Sequence, residues 1–141
     1  MSKYSKSPCQ MVAHEGNLYE FIWREGSQQA VNLWAHHMGE VYAATYTAES
    51  AQMLRLIQRF ETFGMPPVSR IVHATRRLQA TYPHMPPVRT LVLSESPILV
   101  TIVSNLARLL IRQGVDKTHF FTLDAYDEAI QWLLADDAQG V

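Results

Sequence analysis

The order of apolar segments in residues 89–134 limits the folds open to this chain more than any other feature of the sequence. A short apolar run at residues 90–93 precedes an amphipathic stretch at 97–113, and a second run at 119–123 precedes another amphipathic stretch. Short runs of this kind are typical of buried strands, whereas the longer stretches have helical spacing. Because a strand–helix–strand connection is almost always right-handed, the two strands are predicted to lie parallel in one sheet.

Residues at the ends of the two predicted helices support this order. Ser96 is a preferred N-cap residue, and Pro97 suits the first helical turn that follows it. Gly114 is typical of the position after a helix C-terminus. Asp124 is predicted to cap the last helix.

Alternation near the N-terminus predicts an antiparallel hairpin that opens the sheet. In residues 18–23 the large side chains alternate, and a second alternating run occupies residues 31–35. The turn sequence Glu25-Gly26-Ser27 separates the two runs. Residues 1–16 show no periodicity, so they are predicted to form a flexible N-terminal tail.

Residues 41–64 permit two interpretations. In the first, a strand over residues 42–47 ends at Thr47, which caps a helix over residues 48–62 with apolar side chains at helical spacing. In the second, a short helix ends before Gln52 and a buried strand occupies residues 54–60. Periodicity favours the first interpretation.

Composition indicates one ordinary globular domain. The chain has 141 residues and a formal net charge of −1, and 48% of its residues are hydrophobic. The domain is assigned to residues 17–137, with residues 138–141 as the C-terminal end. The predicted class is α/β: a mixed sheet of four to five strands, opened by the antiparallel hairpin, closed by a parallel βαβα unit, and covered by helices.

The sequence predicts a cytoplasmic protein. Cys9 is the only cysteine, which excludes an internal disulfide and fits a reducing compartment. Residues 1–10 lack the apolar core of a secretory signal, and no apolar stretch is long enough to span a bilayer. With a net charge close to zero, neither nucleic acid nor a membrane is predicted as a partner.

The layout resembles that of the STAS domain, named for sulfate transporters and anti-sigma-factor antagonists. The resemblance covers roughly residues 17–136. Three segments carry it: the hairpin leading through Gly39-Glu40, the run Arg89-Thr90-Leu91-Val92-Leu93 before a long apolar helix, and residues 120–133, which read FFTLDAYDEAIQWL.

This resemblance implies a non-catalytic regulatory or protein-interaction module. It also implies a central strand in the middle of the chain, which favours the second interpretation of residues 41–64. In some members a serine at the start of the second helix is phosphorylated, within an Asp-x-Ser pattern. That pattern is absent here, and Ser69 stands roughly at the corresponding place as a candidate for phosphorylation.

A basic cluster is the candidate partner-binding site. Arg70, His73 and Arg77 are three and four residues apart, so they share one face of the helix predicted after Pro66-Pro67. They form either a solvated helix face or a docking surface for an acidic protein partner or a phosphate group. Trp34, predicted on the outer side of its strand, marks a second partner surface or a homodimer contact.

The alternative function is a small-molecule-binding protein or an unrecognised enzyme, with its site at the strand ends near Ser94, Glu95 and Ser96. No catalytic residue or cofactor is predicted, because the sequence holds neither a nucleophile elbow nor a phosphate-binding glycine loop. No metal site is predicted either, since the adjacent His36 and His37 would point to opposite faces of a strand.

Overall fold

The computed structural model describes residues 6–46, 53–62, 64–112 and 114–135, and these residues form a five-stranded mixed sheet with four α-helices packed on it. The predicted α/β class is therefore confirmed. In chain order the elements are β1 (Cys9–His14), β2 (Leu18–Trp23), α1 (Gln28–Tyr46), β3 (Leu54–Phe60), α2 (Val68–Thr81), β4 (Val88–Leu93), α3 (Pro97–Leu110), β5 (Lys117–Phe121) and α4 (Tyr126–Leu134), with a 3-10 turn at Leu123–Ala125 before α4.

The strands lie in the sheet in the same order as in the chain, from β1 to β5. β1 and β2 are antiparallel, and every later neighbouring pair is parallel, including β4 with β5. Because each right-handed crossover steps in the same direction, α1, α2 and α3 are placed on one face of the sheet. The larger core cluster lies on that face, whereas α4 packs over Ile57, Leu91 and Leu93 on the other.

The opening hairpin is present, but one of its strands was assigned wrongly. Leu18–Trp23 pairs with Cys9–His14, which the sequence analysis had placed in a flexible tail. Residues 31–35 lie inside α1, where Val31, Trp34 and Met38 share the buried face at helical spacing. Five alternating residues were too few to distinguish the two-residue period of a strand from the 3.6-residue period of a helix. Trp34 is consequently buried rather than exposed on a partner surface.

The strand of the second interpretation is confirmed in the middle of the chain, whereas the helix before it is the 19-residue α1 rather than a short helix. Leu54–Phe60 is a central strand, hydrogen-bonded to β2 on one side and β4 on the other. Its apolar residues have a spacing that also fits a helix, because side chains on both faces of this strand are buried. The predicted cap at Thr47 and the C-terminal end at residues 138–141 lie outside the described residues.

The predicted helix caps have different outcomes. Ser96 caps α3 as predicted, because its Oγ accepts a hydrogen bond from the backbone N–H of Leu99 at 3.2 Å. Asp124 does not cap α4, since the chain first makes a 3-10 turn and Ala125 takes the N-cap position. None of the described helices has both the length and the apolar character that crossing a bilayer requires.

The β2–α1 turn touches the loop that follows β3. A Cβ placed on Gly26 would lie 2.8 Å from the carbonyl carbon of Met65 and closer still to the carbonyl group of Gly64. Glycine at position 26 therefore allows the two backbones to approach. This contact brings together the carboxyl ends of β2 and β3.

Cys9 should resist alkylation in the native protein. The residue is fully buried in β1, and burial raises the pKa of its thiol from 9.0 to about 12. A rise of this size reduces the thiolate fraction at pH 8 about a thousandfold, and burial also excludes the reagent. We expect iodoacetamide labelling, followed by mass spectrometry, to be slow in buffer and fast in guanidinium chloride. Equal rates under the two conditions would contradict the placement of Cys9.

Candidate functional site

A groove between α1 and α2 contains the basic residues singled out in the sequence. We call it the basic groove; about 500 Å³ of open space lies within it. Its lining residues are Val31, Asn32 and Ala35 from α1 and Ser69, Arg70, His73, Ala74 and Arg77 from α2. The structure therefore brings the three predicted partner-binding residues and Ser69 to one place.

Helical spacing explains how the basic groove is built. Arg70, His73 and Arg77 follow one another at one-turn intervals along α2, with Ala74 between them as a small apolar wall. Val31 and Ala35, one turn apart on α1, form the opposite wall. The result is a groove with small apolar side chains on both walls and basic side chains along its rim.

Within the part of the chain that the structure describes, no carboxylate compensates the positive charge of the basic groove. α2 contains neither Asp nor Glu. The side chains of Arg70, His73 and Arg77 are exposed, and none makes a hydrogen bond or ion pair with another described residue. Arg76 is exposed on the same helix but lies outside the groove.

Three arginines outside α2 have carboxylate partners. Arg24 lies 3.8 Å from Glu61, and Arg59 lies 3.3 Å from the buried Glu20. Arg112 lies 2.8 Å from Asp116, and hydrogen bonding to this carboxylate raises the pKa of the guanidinium. The basic side chains of α2, by contrast, have no carboxylate partner among the described residues.

The residues of the alternative site, Ser94, Glu95 and Ser96, have roles within the fold. Ser94 Oγ accepts a hydrogen bond from the N–H of Ser96, and Ser96 Oγ caps α3. Glu95 accepts a hydrogen bond from the N–H of Leu123 and so joins the ends of β4 and β5. Both serines are buried. These hydrogen bonds explain the three residues without a ligand, and a ligand-binding role for them stays a prediction.

A second open space lies on the inner side of α2. This inner cavity of about 160 Å³ separates the sheet from α1, α2 and α3, and the sequence analysis did not anticipate it. Its walls include Trp23, Trp34, Gln58, Thr90, Val103 and Thr118. Gln58 and Thr90 could have indicated this space from the sequence. Both are polar residues at inward-facing positions of central strands, and such positions are usually apolar.

A charged network on the opposite face of the sheet was also missed. Glu20 is buried in β2, and its carboxylate contacts His14 at 3.0 Å and Arg59 at 3.3 Å. Arg59 also lies over the ring of Tyr126, 5.5 Å from its centroid. The sequence could have indicated this network through Glu20 and Arg59, because charged residues inside buried strands are rare unless they form ion pairs.

The predicted geometry of His36 and His37 was wrong, because both lie on α1 and both approach Glu40, at 3.8 and 3.3 Å. Within the described ranges, no three His, Cys, Asp or Glu side chains are grouped in a way that could hold a metal ion. Comparison of the chain with protein-family models, curated proteins and solved structures found no match.

Proposed function

We propose that the protein is a non-catalytic interaction module that binds an acidic segment of a partner protein in the basic groove. One observation carries this proposal: three basic side chains with no partner among the described residues line a single groove that also has apolar walls. Arginine side chains bind carboxylates through paired hydrogen bonds, and complementary charge directs association. An acidic segment would supply the counter-charges that the described part of the chain does not.

The walls of the groove define the segment further. Ala35 and Ala74 form a narrow, half-buried apolar surface, so the segment carries a small apolar side chain between its carboxylates. Asn32 offers amide and carbonyl groups to the backbone of the segment. The carboxylates on either side then reach Arg70 and Arg77.

A STAS-like relationship and a regulatory role are part of the proposal. The order of elements, a hairpin followed by α1 and then by alternating strands and helices, supports the relationship. Ser69 is exposed near the start of α2 and lines the basic groove beside Arg70. A phosphate on Ser69 would occupy the groove with negative charge and compete with the acidic segment. The proposed location is the cytoplasm, as expected from the cysteine content.

Reversing the charge of the groove should weaken binding of an acidic probe. We expect Arg70→Glu/Arg77→Glu to raise the dissociation constant for a fluorescein-labelled peptide of alternating Glu and Leu residues by about tenfold or more, because each attraction becomes a repulsion. Fluorescence anisotropy at low ionic strength measures this change. Binding by the unaltered protein should weaken as salt is added.

The matched control is Arg76→Glu/Arg108→Glu. It changes net charge by the same amount at two exposed positions outside the groove. We expect its dissociation constant to stay within about threefold of that of the unaltered protein, because only distant, screened charges change. Equal weakening in the two double variants would show a general charge effect and refute the groove. No weakening in either would also refute it.

A further inference from the structure

The outer side of α4 carries negative charge. The first turn of this helix contains Asp127 and Glu128, and the helix has no basic residue. Both carboxylates are exposed, and neither makes a hydrogen bond or an ion pair with another described residue. Their place at the helix N-terminus stabilises α4 through its dipole and leaves the carboxylate oxygens free to bind a cation from outside.

An exposed apolar side chain follows on the same side of α4. Leu134 is 52% exposed and stands seven residues after Asp127, which corresponds to about two helical turns or 10 Å along the helix axis. In the sequence, Asp136 and Asp137 come soon afterwards, and residues 127–137 read DEAIQWLLADD. This segment therefore has carboxylates on either side of an exposed apolar side chain, as the basic groove requires.

The dimensions of the basic groove match this side of α4. Arg70 and Arg77 are also seven residues apart. Beyond Arg77 the groove continues as a further open space of about 360 Å³, with which it shares three lining residues. Gly39 lines this continuation, and a Cβ placed on it would meet no atom within 4 Å. In a parallel arrangement with Asp127 beside Arg70, Leu134 of a second copy would lie next to Gly39.

From this complementarity we infer that the partner of the basic groove is a second copy of this chain, which inserts the outer side of its α4 between α1 and α2. The inference rests on the proposed function, because it names the acidic segment that the groove binds. Charge complementarity favours this occupant, since α2 has no acidic residue and α4 has no basic one.

The position of the two surfaces determines the form of the assembly. α2 and α4 lie on opposite faces of the sheet, so one copy contributes its groove and the other its α4. Such a contact is heterologous, and each added copy leaves one groove and one α4 free for the next. One helix in a groove buries less than about 1,200 Å² in total, so the association is reversible and depends on concentration.

Self-association of the full chain is measured by sedimentation velocity over a range of protein concentrations. We expect the weight-average mass to rise above the 16.1 kDa of one chain as concentration increases, and to fall again at high ionic strength. The groove variant Arg70→Glu/Arg77→Glu and the α4 variant Asp127→Lys/Glu128→Lys should each weaken self-association about tenfold or more, because attraction becomes repulsion.

Matched controls change the net charge by the same amounts at exposed positions outside the two surfaces. These are Arg76→Glu/Arg108→Glu and Glu15→Lys/Glu25→Lys. We expect both to self-associate within about threefold of the unaltered protein, because only distant, screened charges change. Combining the groove and α4 variants in one chain restores the net charge of −1 and makes the two surfaces complementary again. This fourfold variant should regain self-association.

A mixture of the groove variant and the α4 variant tests the head-to-tail contact directly. The groove variant keeps an intact α4, and the α4 variant keeps an intact groove, so one contact remains between unlike chains. We expect a complex of one chain of each that does not grow further, and its formation also shows that both variants are folded. A mixture of the two control variants has the same net charges and should continue to grow beyond two chains.

The inference is overturned if the unaltered protein keeps the mass of one chain at every concentration, if the control variants weaken self-association as much as the test variants, or if the mixture forms no one-to-one complex. Self-association that is lost in the α4 variant but kept in the groove variant would place α4 on another surface and overturn it as well. Binding of the acidic peptide without self-association would overturn the inference and leave the proposed function intact.

Discussion

Gly26→Ala should lower the free energy of unfolding by about 3 kcal/mol, because the added methyl group has no space. It would lie 2.8 Å from the carbonyl carbon of Met65 and even closer to the carbonyl group of Gly64. The obstructing atoms belong to the backbone, so no side-chain rotation relieves the contact. One of the two loops must move, and both are anchored to neighbouring parallel strands.

Gly64→Ala is the matched control on the other side of the same contact. A Cβ at position 64 would meet the Thr62 hydroxyl at 3.3 Å and the Gly26 nitrogen at 3.4 Å, which small adjustments accommodate. We expect it to cost less than about 1 kcal/mol. Urea unfolding followed by circular dichroism measures both variants. If the two substitutions have equal effects, the loops do not approach as described.

Arg112→Met should also destabilise the protein by about 3 kcal/mol, because it leaves the Asp116 carboxylate without a counter-charge. The Asp116 side chain is 10% exposed, and Arg112 donates to its Oδ2 from Nε at 3.0 Å and to its Oδ1 from Nη2 at 2.8 Å. The same guanidinium donates to the carbonyl oxygens of Met85 and Pro86, both at 2.9 Å. Four hydrogen bonds are lost together.

The double variant Arg112→Met/Asp116→Asn removes the stranded charge but also one acceptor, because the two Asp116 oxygens accept the backbone N–H groups of Val88 and Arg112. Because asparagine is neutral, we expect this variant to recover about 1 kcal/mol relative to Arg112→Met. Arg108→Met, an exposed change on α3, should stay within about 0.5 kcal/mol of the unaltered protein. Denaturant unfolding of the four proteins gives these differences. If Arg112→Met is as stable as Arg108→Met, the stranded-charge explanation is contradicted.

The C-terminal half could be predicted because its signals are local. Ser96 and Pro97 define the start of α3 within two residues of sequence, and the apolar run of β4 needs no distant partner to be recognised. Residues 31–35 were misread because the alternation of so short a segment also fits a helix with a broad apolar face. β1 was missed because Cys9 is its only fully buried residue, so it lacks a strong pattern.

The candidate site could be predicted only in part. Arg70, His73 and Arg77 share a face because of helix geometry alone, so their clustering followed from spacing. The other wall of the groove, with Asn32 and Ala35, depended on recognising α1 as a helix. The inner cavity depends on the distance between the sheet and the helices, which no local pattern encodes. Gln58 and Thr90 were the residues that could have indicated it.

The agreement between strand order and chain order has a consequence for synthesis on the ribosome. Each strand emerges next to the one with which it pairs, so no strand has to enter between two that are already joined. A nascent chain that has reached residue 112 already contains β1 to β4. Until α4 has been synthesised, no helix covers Leu91 and Leu93 on that face of the sheet. At roughly 5–20 residues per second, synthesis from residue 112 to the end of α4 takes about one to five seconds. Translational pausing in this interval would prolong the exposure of an apolar surface to other chains.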